Sequence, residues 1–243
     1  MYDRARPDYP PDLVQRIIAS SPGLDLLDVG CGTGISSRLF RAAGCEVLGI
    51  DPDARMAELA ARSGIATEIA TFEDWDPAGR MFDIVIAAQS WHWVDPVAGA
   101  AKAAQVLRQD GRLAVFWNAF DPPQGLRDEF AEVFRQILPE SPFGAFWARP
   151  ALDTYRAGRA RAADAIREAG GFDEPDEWLF GWEQTYTRDQ WLDLVPTTGG
   201  FTQNPPEIQQ ALLDGLGAAV DAVGGSFRMT YSTVTATAVR LGT

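Results

Sequence analysis

The chain has 243 residues, of which 46% are hydrophobic and 11% aromatic, and its formal net charge is −13. This length fits one large domain, which we predict over residues 1–243, and the apolar content excludes a disordered chain. The acidic balance argues against nucleic acid and membrane surfaces as partners, because both are bound through clustered Lys and Arg, and Lys102 is the only lysine.

Short apolar runs alternate with helical patterns through the first half of the chain. We predict strands at 24–29, 46–50, 67–70, 82–88 and 112–118, and helices at 35–43, 53–63 and 95–107. Uninterrupted apolar strands between helices are typical of a parallel sheet that is covered on both faces. The Asp110-Gly111 pair is expected to form the turn into the fifth strand.

The second half of the chain has a less regular pattern. Gly170-Gly171 predicts a left-handed helix end, and Thr187 with Gln190 predicts a capping box. An aromatic loop is expected around Phe143, Phe146 and Trp147. We predict helices at 126–138, 159–169 and 207–223, and strands at 178–186 and 227–241, which brings the total to seven strands.

The most specific motif is Asp28-Val29-Gly30-Cys31-Gly32-Thr33-Gly34, between the first strand and the first helix. Glycines allow a tight turn and let a ligand approach where a Cβ would collide with it. Asp51 ends the second strand, 21 residues after Gly30. A carboxylate at that position suits the two hydroxyls of a ribose.

The glycine spacing is G-x-G-x-G, whereas the dinucleotide fingerprint is G-x-G-x-x-G. With the preceding acid, the motif resembles that of class I S-adenosylmethionine (SAM)-dependent methyltransferases, in particular the small-molecule branch called type 11, over about Tyr9–Asn118. The triplet Trp91-His92-Trp93 is similar to a subset that includes trans-aconitate methyltransferases. The resemblance implies a Rossmann-like, mostly parallel seven-stranded α/β sheet with helices on both faces, and SAM as cofactor with S-adenosylhomocysteine as product.

The resemblance also implies which residues contact the cofactor. The three glycines would surround its methionine part, braced by Asp28, and Asp51 would hold its ribose. In the family an acid after the third strand commonly binds the adenine amino group; Thr71 stands at that place, so Thr71, Glu73 or the Phe72 amide could make the contact. The implied set is Tyr9, Asp28, Gly30, Cys31, Gly32, Gly34, Asp51, Pro52, Met56, Thr71, Phe72, Glu73, Ala88 and Gln89.

His92 is the only histidine and follows the fourth strand, on the side where the methyl group would emerge. It is a candidate general base or substrate-orienting residue. The alternative is a structural role, in which it bonds a loop carbonyl between two packed tryptophans. Further candidates for substrate contact are Trp91, Asn118, Trp147 and Tyr186, although Asn118 could equally cap its strand.

Insertions in this fold commonly form a lid, and the resemblance implies a helical, aromatic lid at about 121–158 and 187–225. An apolar lid favours a hydrophobic or amphipathic substrate.

We expect methyl transfer to an oxygen, of a hydroxyl or a carboxylate. A SAM-binding sensor without catalysis is the alternative. A nicotinamide-dependent oxidoreductase is disfavoured by the glycine spacing. The short-chain type of oxidoreductase also requires a Tyr shortly before its catalytic Lys, and here Ala98 stands at that place before Lys102.

The remaining composition bears on metal binding and on the location of the protein. Two cysteines and one histidine are too few for a zinc site, so we expect no metal. No apolar run approaches ~18 residues, and the first residues lack the apolar core of a signal peptide. We therefore expect a cytoplasmic monomer or homodimer that acts on a small molecule.

Overall fold

The computed structural model describes residues 2–140, 146–147, 149–198 and 200–242. Its first half alternates strands and helices as the sequence predicts, and it adds helix α2, where apolar Leu13 and Ile17 are buried. The elements are α1 (Tyr2–Ala5), α2 (Pro11–Ala19), β1 (Asp25–Val29), α3 (Ile35–Ala42), β2 (Glu46–Asp51), α4 (Ala54–Arg62), β3 (Ala66–Ile69), β4 (Phe82–Ala88), a 3-10 turn (Trp91–Trp93), α5 (Pro96–Val106) and β5 (Leu107–Asp121).

The second half also follows the predicted order. The capping box at Thr187 is present, and Gly170 and Gly171 both have positive φ at the predicted helix end. The elements are α6 (Gln124–Ile137), α7 (Ala151–Ala169), β6 (Asp176–Thr187), α8 (Arg188–Leu194), 3-10 turns at Val195–Thr197 and Phe201–Gln203, α9 (Pro206–Ala222) and β7 (Ser226–Val239). Phe143 of the expected aromatic loop lies outside the described residues.

The starts of two elements lie well before the predicted residues. Helix α7 begins at Ala151 rather than at residue 159, because Pro150 precedes a good helical start and the Asp121 carboxylate accepts the Ala151 N–H at 3.0 Å. Strand β5 begins at Leu107, so Asp110 and Gly111 lie inside it. Asp110 has φ +63°, and the pairing of β4 with β5 shifts register here, so an irregularity replaces the predicted turn.

The seven strands form one sheet in the order β3-β2-β1-β4-β5-β7-β6. The pairs β1–β2, β1–β4, β2–β3 and β4–β5 are parallel. Strand β7 runs antiparallel to β5, since Arg240 bonds Gly111 whereas Thr233 bonds Asn118. The predicted mostly parallel, seven-stranded α/β sheet is therefore confirmed. The parallel pairing brings the carboxyl ends of β1 to β4 to one edge.

The residues group into two compact units. We call Asp8–Asn118, Tyr155–Phe180 and Thr233–Thr243 the sheet unit, and Met1–Pro7, Ala119–Thr154 and Gly181–Ser232 the aromatic unit. The sheet unit buries the apolar strands β1, β4 and β5 against helices α2, α3, α5 and α7.

The aromatic unit has its own core of Phe, Trp and Tyr side chains. Phe130 stacks on Trp191 at 5.2 Å between ring centroids, and Trp182 stacks on Tyr231 at 4.1 Å. This unit contains most of the segments expected to form a lid, and the lid itself stays a prediction. Within the described parts of the chain, no helix combines the length and apolar character of a membrane span.

Candidate active site

The glycine loop between β1 and α3 adopts a backbone that only glycine takes up readily. Gly30, Gly32 and Gly34 have φ values of +67°, +55° and +83°. The N–H groups of Gly30 and Cys31 both donate to the carbonyl of Ile50, at 2.8 and 3.0 Å. These bonds fix the loop to the end of β2, next to Asp51.

The loop is closed by protein on one side and open on another. A Cβ on Gly30 would lie 2.5 Å from the Cβ of Ser90, whereas no atom of the described residues lies within 4 Å of a Cβ built on Gly32. Cys31 is buried, and its Sγ would lie 2.7 Å from a Cβ on Gly49. Gly32 therefore borders space that a ligand can enter, while Gly30 is required by packing.

Asp28 lies beneath this loop and is fully buried. Its Oδ2 accepts the hydroxyls of Ser36 and Ser37 at 2.7 and 2.6 Å, and its Oδ1 has no hydrogen-bond partner among the described residues. Burial raises the pKa of Asp28 to about 6, against the lowering effect of the two serines. A buried carboxylate with an unsatisfied oxygen suits SAM, whose amino and sulfonium groups are cationic.

The pKa of Asp28 gives a testable dependence of stability on pH. Its folded pKa of about 6 lies above the unfolded value of ~3.9, so its stabilising contribution is complete below pH ~3.9 and is lost as the pH rises through about 6. The Asn side chain of the Asp28→Asn variant does not ionise. The free energy of unfolding of this variant, taken relative to that of the wild type, should therefore rise by up to about 3 kcal/mol between pH 4 and pH 8. Urea denaturation at both pH values measures this; a difference independent of pH would contradict it.

Asp51 ends β2 with its carboxylate already oriented. Its Oδ2 accepts the Gly32 N–H at 2.8 Å, and its Oδ1 accepts the Asp53 N–H at 2.9 Å. Each carboxylate oxygen retains capacity for a further hydrogen bond. The side chain is therefore placed to accept ribose hydroxyls, with exposed Pro52 and half-buried Met56 following it.

The segment after β3 offers fewer free groups than the sequence suggests. The Glu73 carboxylate accepts the Asp95 N–H at 2.8 Å, and the Thr71 hydroxyl donates to Asp74 at 2.9 Å. Phe72 is buried, with its ring centroid 6.4 Å from that of Trp91. Glu73 therefore supports the turn before α5. The adenine contacts predicted for Thr71, Phe72 and Glu73 stay predictions.

The end of β4 is unusual in its backbone. Gln89, which follows half-buried Ala88, has φ +58°, a left-handed conformation that is uncommon outside glycine and is found often at functional sites. Its N–H donates to the Phe116 carbonyl at 2.9 Å, and the Ser90 hydroxyl donates to the Val29 carbonyl at 2.5 Å. Local sequence patterns do not reveal Ser90, because its role depends on a contact with β1.

The Trp91–Trp93 turn separates the two tryptophans. Trp91 is buried, whereas Trp93 is 83% exposed, so the structural alternative with two packed tryptophans holds only for Trp91. The His92 ring is exposed and lies 4.9 Å from the Trp93 ring between centroids. Partial desolvation lowers the pKa of His92 and so favours the neutral imidazole, the form that can accept a proton.

Tyr9 and Asn118 lie near the same edge. The Tyr9 ring packs edge-on against Phe116 at 4.9 Å between centroids, and Phe116 pairs with Ala88 across β4 and β5. The Asn118 amide donates to the Asp8 carbonyl at 3.1 Å and accepts the Thr233 hydroxyl at 2.6 Å. Asn118 is thus engaged in holding its strand end, and its contact with substrate stays a prediction.

Trp147 and Tyr186 belong to the core of the aromatic unit. Trp147 packs against Phe130, and the Tyr186 hydroxyl lies 2.7 Å from that of Tyr231. Both are buried. Their role in binding a substrate stays a prediction.

Comparison with known proteins places this chain among methyltransferases. The family model for a methyltransferase domain matches residues 2–155. An uncharacterised methyltransferase of Mycobacterium tuberculosis is 34% identical over 219 residues, which are 88% of this chain and 79% of that protein. The nocamycin O-methyltransferase of Saccharothrix syringae is 38% identical over 63% of this chain and 61% of its own length.

The fold has a counterpart among solved structures. A candidate type II methyltransferase from Anaeromyxobacter dehalogenans superimposes with a TM-score of 0.71, covering 98% of this chain and 99% of that one. The two sequences are 20% identical. At that identity the match concerns the fold alone.

Proposed function

The chain belongs to the class I SAM-dependent methyltransferases, and from that we propose that it transfers a methyl group to an oxygen, of a hydroxyl or a carboxylate, in a small molecule. SAM is the cofactor; it supplies an electrophilic methyl group and leaves as S-adenosylhomocysteine. The proposal depends above all on one observation, the open space beside Gly32, in a loop that follows the buried, partly unsatisfied Asp28 and donates to the oriented Asp51.

Each of these groups suits one part of the cofactor. The backbone at Gly32 can approach the methionine part closely because no Cβ intervenes. Asp28 would balance positive charge, and the two oxygens of Asp51 would accept the ribose hydroxyls. The residues after β3 would border the adenine, because Ile69 pairs with Asp51 in the sheet.

The proposed oxygen acceptor has two supports. A relative that is 38% identical over 63% of this chain bears the name nocamycin O-methyltransferase. The exposed, neutral imidazole of His92 follows β4 on the same edge as the glycine loop and can take the proton of a hydroxyl acceptor. A carboxylate acceptor is already ionised at pH 7 and needs no base. A hydrophobic or amphipathic molecule remains the proposed substrate class.

Calorimetric titration with S-adenosylhomocysteine tests the cofactor site, with NADH as the control ligand. We expect micromolar binding of S-adenosylhomocysteine alone. Incubation with methyl-labelled SAM and a panel of hydroxyl and carboxylic acid compounds then tests the acceptor. Binding with no transfer to any compound would favour the SAM-binding sensor, and transfer only to amines would contradict the oxygen acceptor.

His92 is tested by His92→Ala and His92→Gln. With a hydroxyl acceptor, both changes should lower kcat by about 10²-fold or more, because the proton acceptor is lost. Affinity for S-adenosylhomocysteine should stay within about twofold of the wild-type value. Steady-state kinetics from pH 5 to 9 provides the check. Wild-type turnover of a hydroxyl acceptor in both variants would assign His92 a structural role.

A further inference from the structure

Helix α5 carries the only lysine of the chain, and its ammonium group is engaged with the segment that follows β3. We call residues 71–75 the β3 loop. The Lys102 Nζ donates to the Glu73 carbonyl at 2.8 Å and also to the Trp75 carbonyl. A charged donor to carbonyl oxygens makes a stronger hydrogen bond than a neutral one does. The ammonium thus holds two carbonyls of one short loop.

A second contact joins the same loop to the start of α5. The Glu73 carboxylate accepts the N–H of Asp95, and the Asp95 carboxylate in turn caps α5 by accepting the N–H groups of Val97 and Ala98. Trp75 is buried in the core of the sheet unit, and its indole N–H donates to Glu68 at 2.6 Å. The β3 loop is therefore attached to the start of α5 through the Glu73 side chain and to Lys102 through its backbone.

These attachments matter because the sheet holds the chain only up to the last residue of β3. Strand β3 is the edge strand and has four residues, with β2 as its neighbour in the sheet. It ends at Ile69, whose pairing partner is Asp51. The sheet thus places Ile69 beside Asp51, and the bonds from Asp95 and Lys102 hold Glu73 and Trp75 farther along the loop.

We propose that Lys102 is a positioning residue for the cofactor, which fixes the β3 loop at the place that the nucleoside half of SAM requires. It takes no part in methyl transfer. This inference rests on the proposed function, because it requires SAM to occupy the edge between Asp51 and the β3 loop. Lys102 lies on α5, and through the β3 loop it controls the affinity for the cofactor and the selectivity for its base.

The test compares Lys102→Met with Lys102→Arg by calorimetry, using S-adenosylhomocysteine and S-inosylhomocysteine as probes. The Met side chain keeps the length and loses the donors, so affinity for S-adenosylhomocysteine should fall by about tenfold and the preference for adenine over hypoxanthine should shrink. The Arg side chain keeps charged donors and should restore both to within about threefold. Gln105→Met, an exposed position on the same helix, is the matched control and should change neither.

The preference for adenine over hypoxanthine distinguishes a positioning role of Lys102 from a role in stability alone. A folded variant whose β3 loop is correctly placed keeps that preference. Wild-type affinity and preference in folded Lys102→Met would overturn the proposal while leaving the proposed function intact. A folded wild-type protein that binds neither probe would overturn both.

A second measurement covers the case in which Lys102→Met does not fold. Reductive dimethylation of the folded wild-type protein leaves Lys102 charged but with one N–H donor for two carbonyls. Lys102→Arg protein treated in the same way is the control, since its side chain does not react. Loss of affinity in the wild-type protein alone supports the proposal, and unchanged affinity after complete modification overturns it.

Discussion

Gly32→Ala should abolish measurable binding of S-adenosylhomocysteine while the protein remains folded. The new Cβ would project into the space beside Gly32 that no described residue occupies. It would also force Ala into φ +55°, a left-handed conformation that costs roughly 1–2 kcal/mol. The loss of binding should therefore greatly exceed the loss of stability.

Gly170→Ala is the matched control for this substitution. Gly170 has φ +70° at the end of α7, and a Cβ added there would likewise have no atom of the described residues within 4 Å. The two variants should unfold at similar urea concentrations, but only Gly32→Ala should lose binding in calorimetry. Gly30→Ala should instead unfold much earlier, since its Cβ would lie 2.5 Å from that of Ser90. Wild-type affinity in Gly32→Ala would show that the ligand does not approach this loop.

Asp51→Ala should lower the affinity for S-adenosylhomocysteine by about 10- to 150-fold, the equivalent of about 1.5–3 kcal/mol for lost hydrogen bonds to a charged group. The change removes the proposed ribose acceptor and also releases the N–H of Gly32. Asp51→Asn keeps the shape and one acceptor oxygen, so its loss should be smaller. Calorimetry at low ionic strength measures all three proteins.

The control for Asp51 is the neighbouring acid Asp53. Its carboxylate caps α4 by accepting the Arg55 N–H, and it is not a proposed cofactor contact. Asp53→Ala should reduce stability through the lost cap but leave the affinity unchanged. Equal losses of affinity in Asp51→Ala and Asp53→Ala would mean that the effect comes from the local backbone and not from a ribose contact.

The sequence was most informative where function depends on local backbone. The glycine loop and Asp51 could be predicted because both are short patterns at strand ends, and the strands themselves are uniform apolar runs. The capping box at Thr187 was predictable for the same reason, since both partners lie within one helical turn. In each case the physical cause lies within a few residues of its effect.

The sequence was least informative where a residue acts at long range. Ser90 bonds Val29, 61 residues away, and Lys102 bonds Glu73, 29 residues away. The Glu73 carboxylate supports Asp95, 22 residues away, and its adenine contact stays a prediction. The start of α7 depends on Asp121, 30 residues earlier. No local pattern marks these partners.

The position of β7 in the sheet constrains the order in which the protein folds. It is the last strand in the described chain, but it lies between β5 and β6, which precede it. Strand β6 can therefore join the sheet only by pairing with β7, which follows the long helix α9 in the chain. Contacts that close so late join residues far apart in sequence, such as Thr237 and Leu113, and loop closure makes them slow to form. Strands β1 to β5 can therefore pair with one another before β6 and β7 have joined the sheet.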